Sequence, residues 1–246
     1  MGPAINPQRF SAFENMSLQD VQALLSGARV DSTVPGSALM NRHVAVLCKP
    51  TLQASGDALA AAASALGATV VRLSSDTLRL DDRQCLRETA RLLGRLYCLI
   101  CSEGLGLAVN SGLSRWAGVP VLNDVTLPAH PTRILADLMS MQDHARRPAA
   151  TITLGLSDDP DARTFRAWQL ASGLTGLRVV RIDAALASSA APECDFFFGP
   201  GPQCAACRVP HLIAVDAVAG ACTCLAAQQA DARLRLLRSL LLQVCS

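Results

Sequence analysis

Residues 43–73 read HVAVLCKPTLQASGDALAAAASALGATVVRL, in which two short apolar runs flank an alanine-rich segment. The runs at 43–48 and 68–73 are rich in β-branched residues and predict buried strands. The segment from Leu59 to Leu66 predicts a helix, and Gly67 is placed to end it. A strand, a helix and a strand in this order predict a parallel pair of strands joined by a covering helix.

The same alternation continues along the chain. Ser17-Leu18-Gln19-Asp20 has the form of a capped helix start. Further helices are predicted at 84–96, 111–117, 134–144, 161–174 and 225–244, and further strands at 97–101, 119–122, 150–156, 177–182, 195–198 and 211–215. We therefore predict an α/β fold with two doubly wound parallel-sheet domains, 1–147 and 148–246, the C-terminal helix packing back on the first domain.

Composition and charge argue against several classes of protein. Half of the 246 residues are apolar and 17% are charged, which suits a packed core. A net charge of +2 and an aromatic content of 4% give no basis for a nucleic-acid or membrane-surface partner. No apolar run approaches the roughly 18 residues of a membrane span, and the first ten residues do not resemble a secretory signal. We expect a cytoplasmic protein.

Several segments, taken in order, resemble one family. They are RFSAFENMSLQDVQALL (9–25), HVAVLCKPT (43–51), RETARLLGRLYCLIC (87–101), WAGVPVLNDVTLPAHPTRILADLMSMQDH (116–144) and ADARLRLLRSLLLQV (230–244). This series is similar to the ornithine/aspartate carbamoyltransferases, strongly over residues 9–145 and weakly beyond. The best single match is His130-Pro131-Thr132-Arg133, where the family carries H-P-C-Q or H-P-T-Q.

The resemblance implies a fold and a chemistry. The family has a carbamoyl-phosphate domain and an amino-acid domain, forms trimers with sites at subunit boundaries, and serves amino-acid metabolism such as arginine biosynthesis. An amine attacks the carbamoyl carbon and phosphate leaves. This reaction requires a cradle for a dianion, donors for the oxyanion of the intermediate and a clamp for the amino acid, but no cofactor.

The phosphate cradle implied by the resemblance is incomplete. Lys49 matches the approach to the family's S-T-R-T motif and Thr51 keeps a hydroxyl, but Gln53 stands at the arginine position. A second family arginine ends the strand aligned with YCLIC, where this chain has Cys101. Two missing arginines would weaken carbamoyl phosphate binding by about 6 kcal/mol, or about 10⁴-fold, if the losses add.

Other loops of the family also differ. The segment at 80–85, LDDRQC, replaces a glycine-rich loop and puts Asp81 and Asp82 where an anion should approach. Arg133 occupies the family's glutamine position and is a candidate compensating cation. The second-domain loops at 157–161, 184–191 and 199–202 lack the family's amino-acid-binding motifs, and we interpret them as simple connectors.

His130 and Thr132 keep the family's residues in this motif. In the family this histidine hydrogen-bonds the carbamoyl oxygen, so His130 and Arg133 are the candidate catalytic residues. Lys49, Thr51, Gln53, Cys101 and Thr132 form the degenerate ligand site. The alternative is that His130-Pro131 only caps the helix that follows.

The ten cysteines raise the question of zinc. Cys204, Cys207, Cys222 and Cys224, with His211 nearby, offer five potential ligands, but a predicted strand separates the pairs and Cys222 and Cys224 would face opposite sides if extended. Cys98 and Cys101 face opposite sides of a strand. We predict no metal site and interpret most of these cysteines as small apolar residues or free thiols.

Three functional classes remain open. The first is a carbamoyltransferase paralogue with impaired catalysis, acting as a binding, regulatory or structural subunit, as a homotrimer or with an active homologue. The second is an active, divergent transferase centred on His130 and Arg133. The third is a zinc- or thiol-dependent protein on the same scaffold. The missing arginines favour the first class, with carbamoyl phosphate or another small anion bound weakly.

Overall fold

A computed structural model describes residues 10–30, 36–49, 51, 56–157, 162–182, 194–199, 211–215 and 222–245. The helices are α1 (Leu18–Arg29), α2 (Asp57–Ala65), α3 (Arg83–Leu96), α4 (Leu107–Trp116), α5 (Pro131–Ala145), α6 (Ala162–Thr175) and α7 (Ala226–Cys245). The strands are β1 (His43–Cys48), β2 (Thr69–Ser74), β3 (Leu99–Glu103), β4 (Val121–Asn123), β5 (Thr153–Ser157), β6 (Arg178–Ile182), β7 (Phe196–Gly199), β8 (His211–Val215) and β9 (Cys222–Cys224).

The first sheet has the order β2-β1-β3-β4, with every neighbouring pair parallel. Helices cover both of its faces because successive residues of a strand point to opposite sides. Val44 and Val46 of β1 join the hydrophobic cluster that contains α1, α2, α5 and α7. Ala45 and Leu47 join the second cluster, with α3 and α4. The predicted doubly wound arrangement is confirmed here.

Two helix starts have evident causes. The Ser17 hydroxyl accepts a hydrogen bond from the Asp20 amide at 3.2 Å, and the Asp20 carboxylate accepts one from the Ser17 amide at 2.8 Å, so the predicted capped start of α1 is present. Asp82 caps α3 by accepting from the amides of Gln84 and Cys85, each at 2.9 Å. These bonds, with the one to Cys85 foremost, hold the pKa of Asp82 below its usual value.

The second sheet has the order β6-β5-β7-β8-β9. Strands β5, β6 and β7 are parallel, as predicted, whereas β8 and β9 are antiparallel to their neighbours. The prediction of a parallel sheet therefore holds for three of its five strands, and β9 was not predicted. Trp168 of α6 is fully buried and meets Phe198 of β7 edge to face.

Helix α7 returns to the first sheet, as predicted, and packs against α1, α2 and α5. The contact with α1 is close: a Cβ atom at Gly27 would lie 2.3 Å from the Ser239 Oγ atom. Glycine at this position lets the Ser239 hydroxyl donate to the Leu24 carbonyl at 3.0 Å.

The main hydrophobic cluster extends across both sheets. It contains Leu99 of the first sheet, Leu154 of the second, Trp168 of α6 and Leu236 of α7. The chain passes from one sheet to the other after α5, where Arg146 adopts a positive φ of 53°. The boundary at 147/148 lies in this connection and stays a prediction.

Within the described ranges, we find no helix that has both the length and the apolar character needed to span a bilayer.

Candidate functional site

The carboxyl edge of the first sheet meets the amino end of α5. Strands β1 and β3 are in register so that Cys48 lies opposite Glu103, and β4 ends at Asn123. His130 follows as the N-cap of α5. Because the carboxyl ends of parallel strands share one edge, this is where open α/β sheets bind ligands.

The structure corrects the assignment of Cys101. Strand β3 runs from Leu99 to Glu103, two residues beyond the predicted end, so the residue that ends it is Glu103. Cys101 lies in the middle of the strand, fully buried, and burial followed by the nearby Glu103 raises the pKa of its thiol. It is therefore a neutral core residue, and the strand end that the resemblance expects to carry an arginine carries an acid.

Glu103 is only 1% exposed. The Thr126 hydroxyl donates to its Oε2 atom at 2.5 Å, and the Cys101 Sγ lies 3.7 Å from its Oε1 atom. Burial, opposed by the bond from Thr126 and reinforced by the negative charge of Asp124, raises the pKa of Glu103 to about 7. The carboxyl group therefore titrates close to neutral pH.

A second acid, Asp124, lies at the same edge. It adopts a positive φ of 53° and accepts hydrogen bonds from the Gly104 amide at 2.7 Å and the Asn110 side-chain amide at 3.0 Å. The Ser102 hydroxyl lies 2.9 Å from the Asn110 Oδ1 atom and 2.7 Å from the Asn123 Oδ1 atom. These bonds fix the edge in a geometry that presents carboxylates.

His130 is both a helix cap and a buried imidazole. Its Nδ1 atom lies 2.8 Å from the Thr132 hydroxyl and accepts from the Thr132 amide at 3.3 Å, so His130 caps α5, while its catalytic role stays a prediction. Burial, followed by the positive charge of Arg233, lowers its pKa to about 3. The ring is therefore neutral, with its proton on Nε2, an atom that is buried without a hydrogen-bond partner. One nitrogen orients the ring and leaves the other able to donate.

Arg133 forms an ion pair within its own helix, α5. Its Nε atom pairs with the Asp137 Oδ2 atom at 3.6 Å, and its side chain is 23% exposed. The Asp137 Oδ1 atom accepts from the Gln229 side-chain amide of α7 at 2.8 Å. Burial raises the pKa of Asp137 to about 6 even though Arg133 opposes the shift. Arg133 is thus a weaker candidate for gripping an anion than its sequence position suggested.

A second cation, Arg233 of α7, was not among the predicted site residues. Its Nε and Nη2 atoms are buried without hydrogen-bond partners. Burial and the neighbouring Arg133 lower its pKa, whereas Glu103 and Asp137 raise it. The guanidinium therefore lies among the residues of both the sheet edge and α5. The segment that carries it was recognised from its similarity to the family, but its amphipathic pattern alone indicated only packing.

The remaining predicted ligand residues are only partly covered by the described structure. Lys49 follows β1 and is exposed, and Thr51 is also exposed. Gln53 lies outside the described residues. The structure thus brings together His130 and Thr132 at the sheet edge, with Lys49 following the adjacent strand, while the position of Gln53 is untested.

A cavity of about 760 Å³ opens beside His130. Asn110, Ser114 and Asp124 line it from the first sheet's side, and Arg163 and Arg166 line it from α6. Arg166 is engaged at the rim, because its Nε atom donates to the Glu14 carboxylate at 2.8 Å. The cavity therefore lies between elements of the two sheets.

For the zinc alternative, Cys204 and Cys207 fall outside the described residues, as do the side chains of His211 and Cys222. Among the side chains that are described, there is no group of three or more His, Cys, Asp or Glu residues arranged to hold a metal ion.

Comparison with known proteins finds similarity over the segment that carries most of this edge. Residues 53–143 match the family model described as the carbamoyl-P binding domain of aspartate/ornithine carbamoyltransferase. This segment of the chain is similar to the ornithine/aspartate carbamoyltransferase family. Curated relatives include the catabolic ornithine carbamoyltransferases of Burkholderia mallei and Burkholderia pseudomallei, each 34% identical over 110 residues, 45% of this chain. The match spans only 33% of each relative's length.

Solved carbamoyltransferases share the fold over nearly the whole chain. The ornithine carbamoyltransferase of Gloeobacter violaceus superposes with a TM-score of 0.68 at 17% identity, covering 96% of this chain and 98% of that one. The enzyme from Thermus thermophilus gives the same TM-score and coverage at 19% identity. The carbamoyltransferase fold thus extends through the second sheet, where the sequence resemblance is weak.

Proposed function

We propose that this chain is a carbamoyltransferase-family protein with impaired carbamoyl transfer, acting as a binding, regulatory or structural subunit. The observation that carries the proposal is Glu103, a buried acid that ends β3. A phosphate dianion at this edge would meet the charge of Glu103 and of Asp124 in a setting of low dielectric. Like charges held this closely oppose binding.

The retained part of the site supports a binding role. His130 presents a buried Nε2 donor, and Arg233 presents unpartnered N–H groups, so a small anion or carbonyl oxygen would find donors on that side. A ligand of low charge suits this arrangement better than a dianion. The cytoplasm is the compartment that we propose, and a homotrimer or a complex with an active homologue is the assembly.

Calorimetric titration of the full chain with carbamoyl phosphate and with inorganic phosphate tests this function. A transfer assay with ornithine and with aspartate uses the same preparation. We expect no turnover, and dissociation constants in the millimolar range or weaker. Turnover with either amine would refute impaired catalysis.

A second candidate is an active, divergent transferase that moves the carbamoyl group from carbamoyl phosphate to an amino-acid amine, with a role in arginine biosynthesis. Arg233 is the observation in its favour, because it adds a buried cation near His130 that the sequence analysis did not count. In this case carbamoyl phosphate would raise the melting temperature. Arg233→Ala would abolish the rise, whereas Arg235→Ala, which removes a guanidinium paired with Asp231, would preserve it.

A further inference from the structure

A pair of thiols lies away from the candidate site, where the last turn of α7 reaches the first sheet. Cys98 immediately precedes β3, with its amide donating to the His43 carbonyl at 2.9 Å. Cys245 is the last residue of α7. Both side chains are half-buried and pack against the main hydrophobic cluster. The pair therefore sits at the amino end of β3, the opposite end from Glu103.

The Cys98 and Cys245 side chains lie within hydrogen-bonding reach of each other, with the Cys245 thiol as the donor. This bond, aided by the positive charge of Arg42, lowers the pKa of Cys98 to about 7. The same bond, together with burial, raises the pKa of Cys245. One thiol is thus a ready nucleophile near neutral pH and the other stays protonated beside it, the pairing expected of an attacking and a resolving cysteine.

We propose that Cys98 and Cys245 form a reversible disulfide, a redox modification site that fastens the last turn of α7 to the amino end of β3. The oxidant is a low-molecular-weight disulfide of the glutathione class. The Cys98 thiolate attacks one sulfur of this disulfide, its S–S bond breaks, and one thiolate leaves and takes up a proton. Cys245 then loses its proton and attacks the Cys98 sulfur, releasing the second thiol. Two protein thiols are oxidised and one disulfide is reduced to two thiols.

Fastening α7 has a consequence for the sheet edge. The same helix carries Gln229, which donates to Asp137, and Arg233, which lies near His130. Cross-linking positions 98 and 245 closes a long loop and restricts the unfolded chain, so the oxidised protein should be the more stable form. The redox state would thereby control how firmly α7 is held against the first sheet.

The full chain is equilibrated with oxidised glutathione, alkylated and digested with trypsin. Cleavage after Arg95, Arg115 and Arg238 places Cys98 in peptide 96–115 and Cys245 in peptide 239–246. We expect these two peptides to be disulfide-linked. Peptide 96–115 also contains Cys101, so Cys98→Ser must abolish the link, as must Cys245→Ser. Cys85→Ser, which removes a half-buried thiol of α3, should leave it intact.

The melting temperature gives an independent readout. It should be higher for the oxidised than for the reduced wild type, and this difference should be lost in Cys245→Ser. If a serine variant fails to fold, fragmentation spectra of the wild-type linked peptide distinguish Cys98 from Cys101. Failure to find the linked peptide, a link through Cys101, glutathione left on Cys98 without exchange, or an unchanged melting temperature would each overturn the proposal.

Discussion

Two groups of side chains meet where the edge of the first sheet lies beside α5 and α7, and they differ in charge. The helix wall comprises His130, Arg133 and Asp137 of α5 with Gln229 and Arg233 of α7, and the strand wall comprises Glu103 and Asp124. The helix wall presents two guanidinium groups, a neutral imidazole donor and the Asp137 carboxyl group, whereas the strand wall presents carboxyl groups and no cation. Under the proposed function, the donors of the helix wall would suit an oxyanion, whereas the acids of the strand wall would oppose binding of the leaving phosphate.

Under the proposed function, the acid at position 103 alone would change what the sheet edge binds. The backbone of β3, its parallel neighbours and the start of α5 are all in the family arrangement. Glu103 is accommodated because Thr126 donates to it and because its raised pKa keeps part of the population neutral at pH 7. The fold therefore accommodates the acid, and we expect it to weaken anion binding.

Glu103→Arg should have the largest effect of the substitutions considered, because it replaces an acid of the strand wall by a cation and so raises the affinity for carbamoyl phosphate. Removing a like charge and adding a charge-assisted hydrogen bond would tighten carbamoyl phosphate binding by about 4 kcal/mol, or about 10³-fold. Calorimetry with carbamoyl phosphate measures the change. Glu103→Gln removes only the repulsion and should gain about tenfold, which covers the case in which the arginine variant does not fold. Unchanged affinity in both variants would show that the strand wall does not face the ligand.

The strand wall should also make stability depend on pH. The pKa of Glu103 is about 7 in the folded protein against 4.5 ordinarily, so the unfolded chain ionises first as pH rises. Stability should therefore fall between about pH 4.5 and pH 7, by about 3 kcal/mol from this group. Asp137, with a pKa of about 6 against 3.8, should act in the same direction at somewhat lower pH.

Urea unfolding of wild type and Glu103→Gln at pH 4.5 and pH 8 measures the contribution of Glu103. The loss of stability on going to pH 8 should be about 3 kcal/mol smaller in the variant. Equal pH dependence in the two proteins would mean that Glu103 is not desolvated as described.

Gln229→Leu tests the helix wall. It removes the amide that donates to Asp137 at 2.8 Å and leaves a buried carboxyl oxygen without that partner. We expect a loss of about 2 kcal/mol in the free energy of unfolding. Gln228→Leu, at the exposed neighbouring position, is the matched control and should change stability by less than about 0.5 kcal/mol. Similar losses in both would place the effect in the helix rather than in the buried pair.

Thr132→Val should have the smallest effect. The substitution keeps the backbone N–H that His130 caps and removes only the hydroxyl 2.8 Å from the His130 Nδ1 atom. We expect a loss of about 1 kcal/mol, measured by thermal unfolding. Nuclear magnetic resonance of the imidazole should show both ring tautomers in the variant, because the hydroxyl that contacts Nδ1 is gone and only the Thr132 amide still bonds to this atom. If only the Nε2-protonated tautomer is observed in the variant, the backbone amide of Thr132 alone fixes the tautomer.

Most of the fold could be predicted from hydrophobic pattern. The strand of residues 43–48 was placed with both ends correct, because an uninterrupted buried run has clear limits. The antiparallel pairing of β8 and β9 could not be predicted, since strand direction depends on how a connection returns and not on periodicity. The short strand β9 is too brief for its alternation to stand out.

The site was predicted less completely. His130 was found through its motif, which is local in sequence. Glu103 was missed because the strand was predicted to end two residues too early. The predicted end is an uncharged cysteine, Cys101, whereas the true end is an acid. Arg233 and Gln229 were missed because α7 lies about 100 residues from α5 in sequence, and only the packed structure brings their side chains to Asp137 and His130.

The hydrophobic cluster that extends through both sheets couples their stabilities. Leu99, Leu154 and Leu236 belong to one continuous cluster, so the two sheets share this part of their apolar interior. Melting should then be a single cooperative transition. A core substitution at Trp168 should reduce the protection of the backbone hydrogen bonds of β1 as well as those of β5. We therefore expect the two sheets to unfold as one unit.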